Sequence, residues 1–117
     1  MRVTHNAPTL DDVAHAIEQW QTATFGPPGD PLVSLGKLFD EAAELRDELR
    51  QLPIAGTEGE HTARIREELA DVLFLVIDLA RGFGSVDALT EAADAKLARN
   101  RARVWTQGDG GKWSGSK

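Results

Sequence analysis

The chain has 117 residues, 41% hydrophobic side chains, a formal charge of −6 at pH 7 and no cysteine. This length suits one domain, since single cores are commonest at roughly 100–150 residues, and the apolar fraction is too high for a disordered protein. The missing cysteine excludes disulfides, thiolate nucleophiles and cysteine-based zinc sites. The acidic balance disfavours binding to a nucleic-acid polymer through neutralisation of its phosphates.

The sequence carries no targeting or membrane signal. Residues 1–10 contain one arginine, one proline and no apolar run. The most apolar stretch, residues 69–80, is twelve residues long and includes two aspartates, whereas a membrane span needs about 20 apolar residues. We therefore predict a soluble, cytoplasmic domain that does not enter the membrane.

Four segments have helical periodicity. The first begins with a capping box at Thr9 and ends near Thr24, before the Gly-Pro-Pro-Gly segment at residues 26–29. The second begins at Asp30, which is followed by a proline suited to the first helical turn, and its apolar stripe continues to Leu52.

The third predicted helix begins with a capping box of Thr57 and Glu60 and ends at Gly82. Its middle is apolar on nearly all sides, which is typical of a helix that is buried all round. Ser85 is predicted to cap the fourth helix. Residues 108–117 contain four glycines and indicate a flexible tail.

No segment alternates as a strand does, so the predicted fold is all-α. We expect residues 1–107 to form a four-helix bundle around a long antiparallel hairpin of the second and third helices. Two long and two shorter helices give a thin core, and the apolar third helix indicates that a second subunit completes it. We therefore predict an obligate homo-oligomer.

The second helix carries five acidic residues within positions 40–48. Glu41, Glu44 and Glu48 are spaced by three and four residues, so they form one ridge beside the apolar stripe. Such a ridge by itself is typical of a solvated helix face, and Lys37, four residues before Glu41, fits a surface ion pair.

The third helix changes this interpretation, because Glu68 and Asp71 repeat the spacing of Glu41 and Glu44. Asp71 begins an apolar run, where a buried carboxylate needs a cation or a hydrogen-bond donor. Across an antiparallel hairpin the two pairs would face each other, and four carboxylates at one place require a metal. Ligands that are all oxygen suit Mg²⁺ or Mn²⁺, while the Glu-x-x-His motifs of di-iron bundles are absent. The three histidines are interpreted as surface residues at a terminus, on the first helix and in a loop: His5, His15 and His61.

The fourth helix supplies positive charge, with four cations within positions 96–103. Lys96, Asn100 and Arg103 share a face next to the apolar stripe. Cations near a helix C-terminus are favourable in themselves. Beside carboxylate-bound Mg²⁺, the same side chains would form a phosphate-binding site.

Together these motifs follow a known order: Lys37-Leu38-x-x-Glu41-x-x-Glu44-Leu45, then Glu67-Glu68-Leu69-Ala70-Asp71-Val72-Leu73, then Lys96-x-x-x-Asn100-x-x-Arg103. The order resembles the MazG-like all-α nucleoside triphosphate pyrophosphohydrolases. Their signature is Glu-x-x-Glu followed, after a spacer, by Glu-x-x-Asp. The resemblance covers roughly residues 10 to 105, and 23 residues separate Glu44 from Glu68.

The resemblance implies Mg²⁺-dependent cleavage of a (d)NTP between its α- and β-phosphates, giving a (d)NMP and pyrophosphate, with Mn²⁺ as a possible substitute. It implies assembly as a homodimer or a dimer of dimers. It also assigns the catalytic and metal-binding residues: Glu41, Glu44, Glu68 and Asp71. The substrate-binding candidates are Lys96, Asn100, Arg103, Lys37 and Trp20.

Two features bear on the branch of this family. Asp40 stands where many members have glutamate. The fragment at residues 19–26, together with Asp78, resembles the dATP/dGTP pyrophosphohydrolase branch, in which Trp20 or Phe25 would stack on a base, although an aromatic residue at a helix end is more often core. Two alternatives stay open: a phosphoribosyl-ATP pyrophosphohydrolase, and a non-catalytic helical interaction module whose acidic residues are only surface charge.

Overall fold

The structure is a computed structural model that describes residues 7–55 and 59–116, except the side chains of residues 53 and 55. The helices are α1 (Leu10–Phe25), α2 (Pro31–Leu49), α3 (Leu52–Ala55), α4 (Glu60–Arg81) and α5 (Ser85–Ala102). They are followed by β1 (Trp105–Gln107), a 3₁₀ turn (Asp109–Gly111) and β2 (Trp113–Gly115). The prediction of a mostly helical chain is confirmed, and the four predicted helices correspond to α1, α2, α4 and α5. None of the described helices combines the length and hydrophobicity needed to cross a membrane.

The first two helices begin where the sequence predicts. The backbone N–H of Asp12 donates to Thr9 Oγ1 at 3.1 Å, and that of Leu32 donates to Asp30 Oδ1 at 2.9 Å. Each cap satisfies a helix-end donor and is worth about 1 kcal/mol. The two caps place the short connection between α1 and α2 at residues 26–30.

The connection between α2 and α4 differs from the prediction. α2 ends at Leu49 rather than Leu52, because the chain turns and forms the short α3. α4 begins after Gly59, whose φ of 76° favours glycine, and no side chain caps it. Thr57, the predicted cap, lies outside the described residues.

The start of α5 is stabilised from another helix. Ser85 occupies the predicted boundary with a φ of 70°. The next backbone N–H, that of Val86, donates to Glu18 Oε2 of α1 at 3.0 Å. A carboxylate from α1 therefore binds one of the free donors at this helix N-terminus.

The chain divides into two units, Met1–Val86 and Asp87–Lys117. In the first unit α2 and α4 run antiparallel, as predicted. Ser34 near the start of α2 contacts Asp78 near the end of α4, and Glu48 near the end of α2 contacts His61 at the start of α4.

The core of the first unit is small. Among the described residues, its buried apolar side chains are Ile17, Ile77 and Val86. α2 buries none of its side chains, and on α4 Leu69 is 50% exposed and Phe74 36% exposed. Within one chain, α4 is therefore covered only in part.

The second unit contains most of α5 and an antiparallel hairpin in which Trp105 pairs with Gly115. This hairpin differs from the prediction, which expected no strand and a flexible tail at residues 108–117. The glycines are used for a turn, since Gly110 and Gly111 have φ of 75° and 78°, a conformation that costs glycine little.

Candidate active site

Three glutamates from two helices meet in the first unit. Glu41 and Glu44 of α2 and Glu68 of α4 each offer a carboxylate oxygen, and these oxygens lie within 4.8 Å of one another. Glu41 and Glu44 are close because residues three apart share a helix face, and the antiparallel pairing brings Glu68 to them. We call this group the glutamate cluster. Negative charges this close repel, so the cluster favours a proton or a cation.

Two of these carboxyl groups are only partly satisfied by the protein. Glu41 Oε2 and Glu68 Oε2 are buried and, while the cluster is ionised and its carboxylates can only accept, have no hydrogen-bond partner. An unpaired buried carboxylate costs about 5 kcal/mol. A divalent cation that prefers oxygen ligands would neutralise both oxygens, and a set of carboxylates suits Mg²⁺ or Mn²⁺. The residues present therefore fit a bound divalent metal.

Glu41 has the most perturbed acidity of the cluster. Burial, together with hydrogen bonding to Glu68 and Glu44, raises the pKa of Glu41 from 4.5 to about 7, and the charges of Glu44 and Asp71 act in the same direction. Asp71 itself is exposed and lies outside the three-residue cluster, but it lines the same cavity. The structure thus brings together three of the four predicted metal ligands and places the fourth beside them.

This raised pKa predicts how the metal-free protein responds to pH. Between pH 4.5 and about 7 the folded state keeps a proton on Glu41 that the unfolded state has lost. The stability contributed by this proton is therefore full below pH 4.5 and is lost as the pH rises through about 7. Thermal unfolding in a chelator should give a higher Tm near pH ~5 than near pH ~8. Glu41→Gln should reduce this dependence, and an unchanged dependence in that variant would contradict the assignment.

The glutamate cluster borders a cavity of about 920 Å³ lined by α1, α2, α4 and the connection between α1 and α2. This volume lies in the range of small-molecule sites, about 300–1,000 Å³. Glu41, Glu44 and Asp71 make part of the wall acidic, and Lys37 adds a cation. Asp40 also lines the cavity.

Aromatic side chains form another part of the same wall. Trp20 packs edge-on against Phe25, with ring centroids 5.4 Å apart, and against Phe74 at 6.0 Å. Trp20 is 51% exposed and Phe25 62% exposed. We call these three residues the aromatic cluster. Exposed aromatic surface in a concave site is suited to a planar ligand.

A polar network holds the α1–α2 connection beside the cavity. Asp78 accepts hydrogen bonds from Ser34 Oγ at 2.6 Å and from Arg81 Nη2 at 2.9 Å. Arg81 also donates to Thr22 Oγ1 at 3.2 Å and to the Gly26 carbonyl at 2.7 Å. Ser34 and Arg81 were not singled out from the sequence. The available signal for Arg81 was its position three residues after Asp78 on a helix.

The acidity of Asp78 reflects the same network. Burial by itself would raise the pKa of Asp78, but the Ser34 and Arg81 hydrogen bonds and the charges of Arg81 and Lys37 outweigh it, so the pKa lies below its usual 3.8. Asp78 is therefore ionised at neutral pH, and it anchors Arg81 rather than joining the glutamate cluster.

Removing Arg81 should destabilise the fold. Its side chain is 5% exposed, so Arg81→Met leaves the Asp78 charge half-buried without its partner. We expect the free energy of unfolding to fall by about 3 kcal/mol, measured by urea denaturation. The matched control is Arg46→Met, whose ion pair with Asp47 is exposed and should cost less than about 1 kcal/mol. Equal losses in the two variants would contradict this role.

Glu48, the third member of the predicted acidic ridge, has other partners. Its Oε2 lies 3.2 Å from His61 Nδ1 and 3.5 Å from Arg64 Nε. The prediction that His61 is a surface loop residue is wrong, because α4 begins at Glu60 and the imidazole packs against α2 with 5% exposure. His15 lies on α1 as predicted, half-buried, and His5 lies outside the described residues.

The remaining predicted binding residues belong to the second unit. Arg103 donates to the backbone oxygens of Gly115 and Ser116, and its guanidinium lies 4.9 Å from the centroid of the Trp105 ring. Trp105 Nε1 donates to the Asn100 carbonyl at 2.8 Å, and Lys96 is exposed on α5. Arg103 is therefore engaged by the hairpin, and the substrate roles of these residues stay predictions.

Comparison with known proteins places the chain in a family. No protein-family model matches it. A dATP/dGTP diphosphohydrolase of Cyanophage S-2L is 59% identical over 44 residues, which are 38% of this chain and only 40% of the relative's length. The solved structure of the Cyanophage S-2L MazG-like pyrophosphohydrolase, bound to dGDP and three catalytic Mn²⁺ ions per active site, matches with a TM-score of 0.63 and 33% identity over 95% of this chain and 100% of that one. As its motif order predicts, the chain belongs to the MazG-like pyrophosphohydrolase superfamily.

Proposed function

We propose that this chain is a metal-dependent nucleoside triphosphate pyrophosphohydrolase that cleaves purine deoxynucleoside triphosphates between the α- and β-phosphates. The observation that carries the proposal is the cavity, whose lining includes Glu41 and Glu44 of the glutamate cluster together with the aromatic cluster. Cations held by carboxylates suit a triphosphate, and exposed rings suit a base. The matches from Cyanophage S-2L support the substrate class, since the curated relative is a dATP/dGTP diphosphohydrolase and the solved structure is bound to dGDP and Mn²⁺.

Each group has a distinct role in this proposal. Glu41, Glu44, Glu68 and Asp71 would hold Mg²⁺ or Mn²⁺, which when bound would neutralise phosphate charge and make water a better nucleophile. A carboxylate of the glutamate cluster would accept the proton of the attacking water. Lys37 on the cavity wall would bind phosphate oxygens. The candidates on or just after α5 for phosphate or sugar contacts stay those that the family resemblance implies: Lys96, Asn100 and Arg103.

Hydrolysis of dATP and dGTP in ¹⁸O-labelled water, with Mg²⁺ or Mn²⁺, tests this function. We expect a deoxynucleoside monophosphate and pyrophosphate, with the label in the monophosphate when water attacks the α-phosphorus. Release of orthophosphate would contradict the cleavage position. Turnover of phosphoribosyl-ATP alone would favour that enzyme class, and no turnover of any nucleotide would favour a non-catalytic interaction module.

We also propose that the chain assembles as a homodimer or a dimer of dimers. Leu32 and Phe39, seven residues apart on one face of α2, are 71% and 65% exposed. Phe39→Ser should convert the assembly to monomers in sedimentation at micromolar concentration, because it places a hydroxyl in an apolar interface. Ile54→Ser, which changes a side chain on α3 that is 87% exposed, should leave the mass unchanged. A wild-type monomer would contradict the proposal.

A further inference from the structure

Gln21 on α1 is a buried polar residue in the wall of the cavity, with 2% of its surface exposed. Its Nε2 donates to the backbone carbonyl of Phe74 at 2.8 Å. The opposite amide orientation would set two oxygen acceptors against each other, so this contact determines which way the side chain faces. Gln21 Oε1 is left buried with no hydrogen-bond partner.

An unpaired buried acceptor is unusual. Most buried polar side-chain atoms have a partner, and one that lacks it destabilises the folded state. Gln21 directly follows Trp20 in the chain and donates to the backbone carbonyl of Phe74. Trp20 and Phe74 both belong to the aromatic cluster. Gln21 therefore belongs to the part of the cavity wall that suits a planar ligand.

We infer that Gln21 reads the nucleobase, with Oε1 accepting a hydrogen bond from an amino group of a purine. This inference rests on the proposed function. Phosphate groups offer only acceptors, whereas adenine and guanine each carry an amino donor on the ring edge. The Nε2 donation to the Phe74 carbonyl fixes the orientation of the amide, and the atom left without a partner is the acceptor Oε1. At that atom an amino group is favoured and a carbonyl is disfavoured.

Pairs of substrates that differ by one amino group test this inference. dATP is compared with purine deoxyriboside triphosphate, which lacks the 6-amino group, and dGTP is compared with dITP, which lacks the 2-amino group. In at least one pair the wild type should show a kcat/KM about 10- to 100-fold higher for the amino-bearing nucleotide. The pair that responds identifies the amino group that is read.

Gln21→Met keeps the length of the side chain and removes the acceptor. For Gln21→Met, the ratio of the two kcat/KM values in the responding pair should fall to near one. The variant should lose activity on the amino-bearing nucleotide and keep its activity on the analogue. Gln19→Met, the same change at an exposed position of α1, should keep the wild-type ratio. The metal-free Gln21→Met variant should unfold at or above the wild-type Tm, since the unpaired oxygen is gone. A merely structural role predicts a lower Tm and an unchanged ratio.

Calorimetry separates this inference from the proposed function. Binding of dAMP against purine deoxyriboside monophosphate, and of dGMP against dIMP, requires no turnover. Amino-dependent binding that Gln21→Met removes supports the inference even if no triphosphate is hydrolysed. Equal binding within both pairs, no binding of any of these nucleotides, or discrimination retained by Gln21→Met overturns it, while hydrolysis by the wild type would leave the proposed function intact.

Discussion

Replacing Glu44 by glutamine is expected to lower kcat/KM for pyrophosphate release from dATP or dGTP at least about 100-fold. Glu44 is the exposed member of the glutamate cluster, within 4.8 Å of the carboxylate oxygens of Glu41 and Glu68. The amide keeps the shape of the side chain but removes a charge that holds the cation. The fold should survive, because relief of repulsion within the cluster favours the folded state.

The matched control for this variant is Glu48→Gln, one turn further along α2. Glu48 belongs to the same ridge, but its carboxylate faces His61 and Arg64 instead of the cavity. We expect its kcat/KM to stay within a few-fold of the wild type, with any loss appearing as lower stability. Similar losses of activity in the two variants would show that all the acidic residues of the ridge contribute to catalysis. The prediction that the glutamate cluster has a separate role would then be wrong.

Adding Mn²⁺ to the chelator-treated protein is expected to raise its Tm by about 10 °C when the free ion is near 100 times its Kd. A ligand that binds only the native state at this ratio stabilises it by about 2.7 kcal/mol. For a domain near this size, one kcal/mol corresponds to about 4 °C in Tm. The buried oxygens of Glu41 and Glu68 without partners are the reason to expect a large response.

The increase in Tm on adding Mn²⁺ should also depend on pH and on the carboxylates of the glutamate cluster. Because the pKa of Glu41 is raised to about 7, protons compete with the ion below neutrality, and the shift should be larger at alkaline than at acidic pH. Glu44→Gln should lose most of the shift and Glu48→Gln should keep it. A shift that is equal in both variants would indicate metal binding elsewhere on the acidic surface.

Local rules account for the parts of the fold that the sequence predicted well. Thr9 and Asp30 act as caps because a side-chain oxygen two or three residues before a free N–H can reach it without help from the rest of the chain. Helical periodicity identifies the long helices because it, too, depends only on residues that are near each other in the sequence. The short α3 and the hairpin after Arg103 were missed, since neither has enough residues to show a period.

The candidate site was predictable only to the level of spacing. Residues three apart must share a helix face, so the pairing of Glu41 with Glu44 follows from sequence. Burial does not follow from spacing. In the structure Glu41 and Glu68 each have a buried oxygen, whereas Asp71 is exposed. Packing also brings His61 into contact with Glu48 of α2.

The sequence by itself determined the helical class, the antiparallel pairing of the two acidic helices and the family, because each depends on the order and spacing of residues along the chain. Only the tertiary structure decided which carboxylates meet, that Arg81 ties Asp78 to the α1–α2 connection, and that Gln21 keeps an unpaired acceptor in the cavity wall. These features depend on atoms from different helices that lie within a few ångströms of each other. The direction and burial of each side chain are set by packing across helices, which periodicity along one helix does not contain.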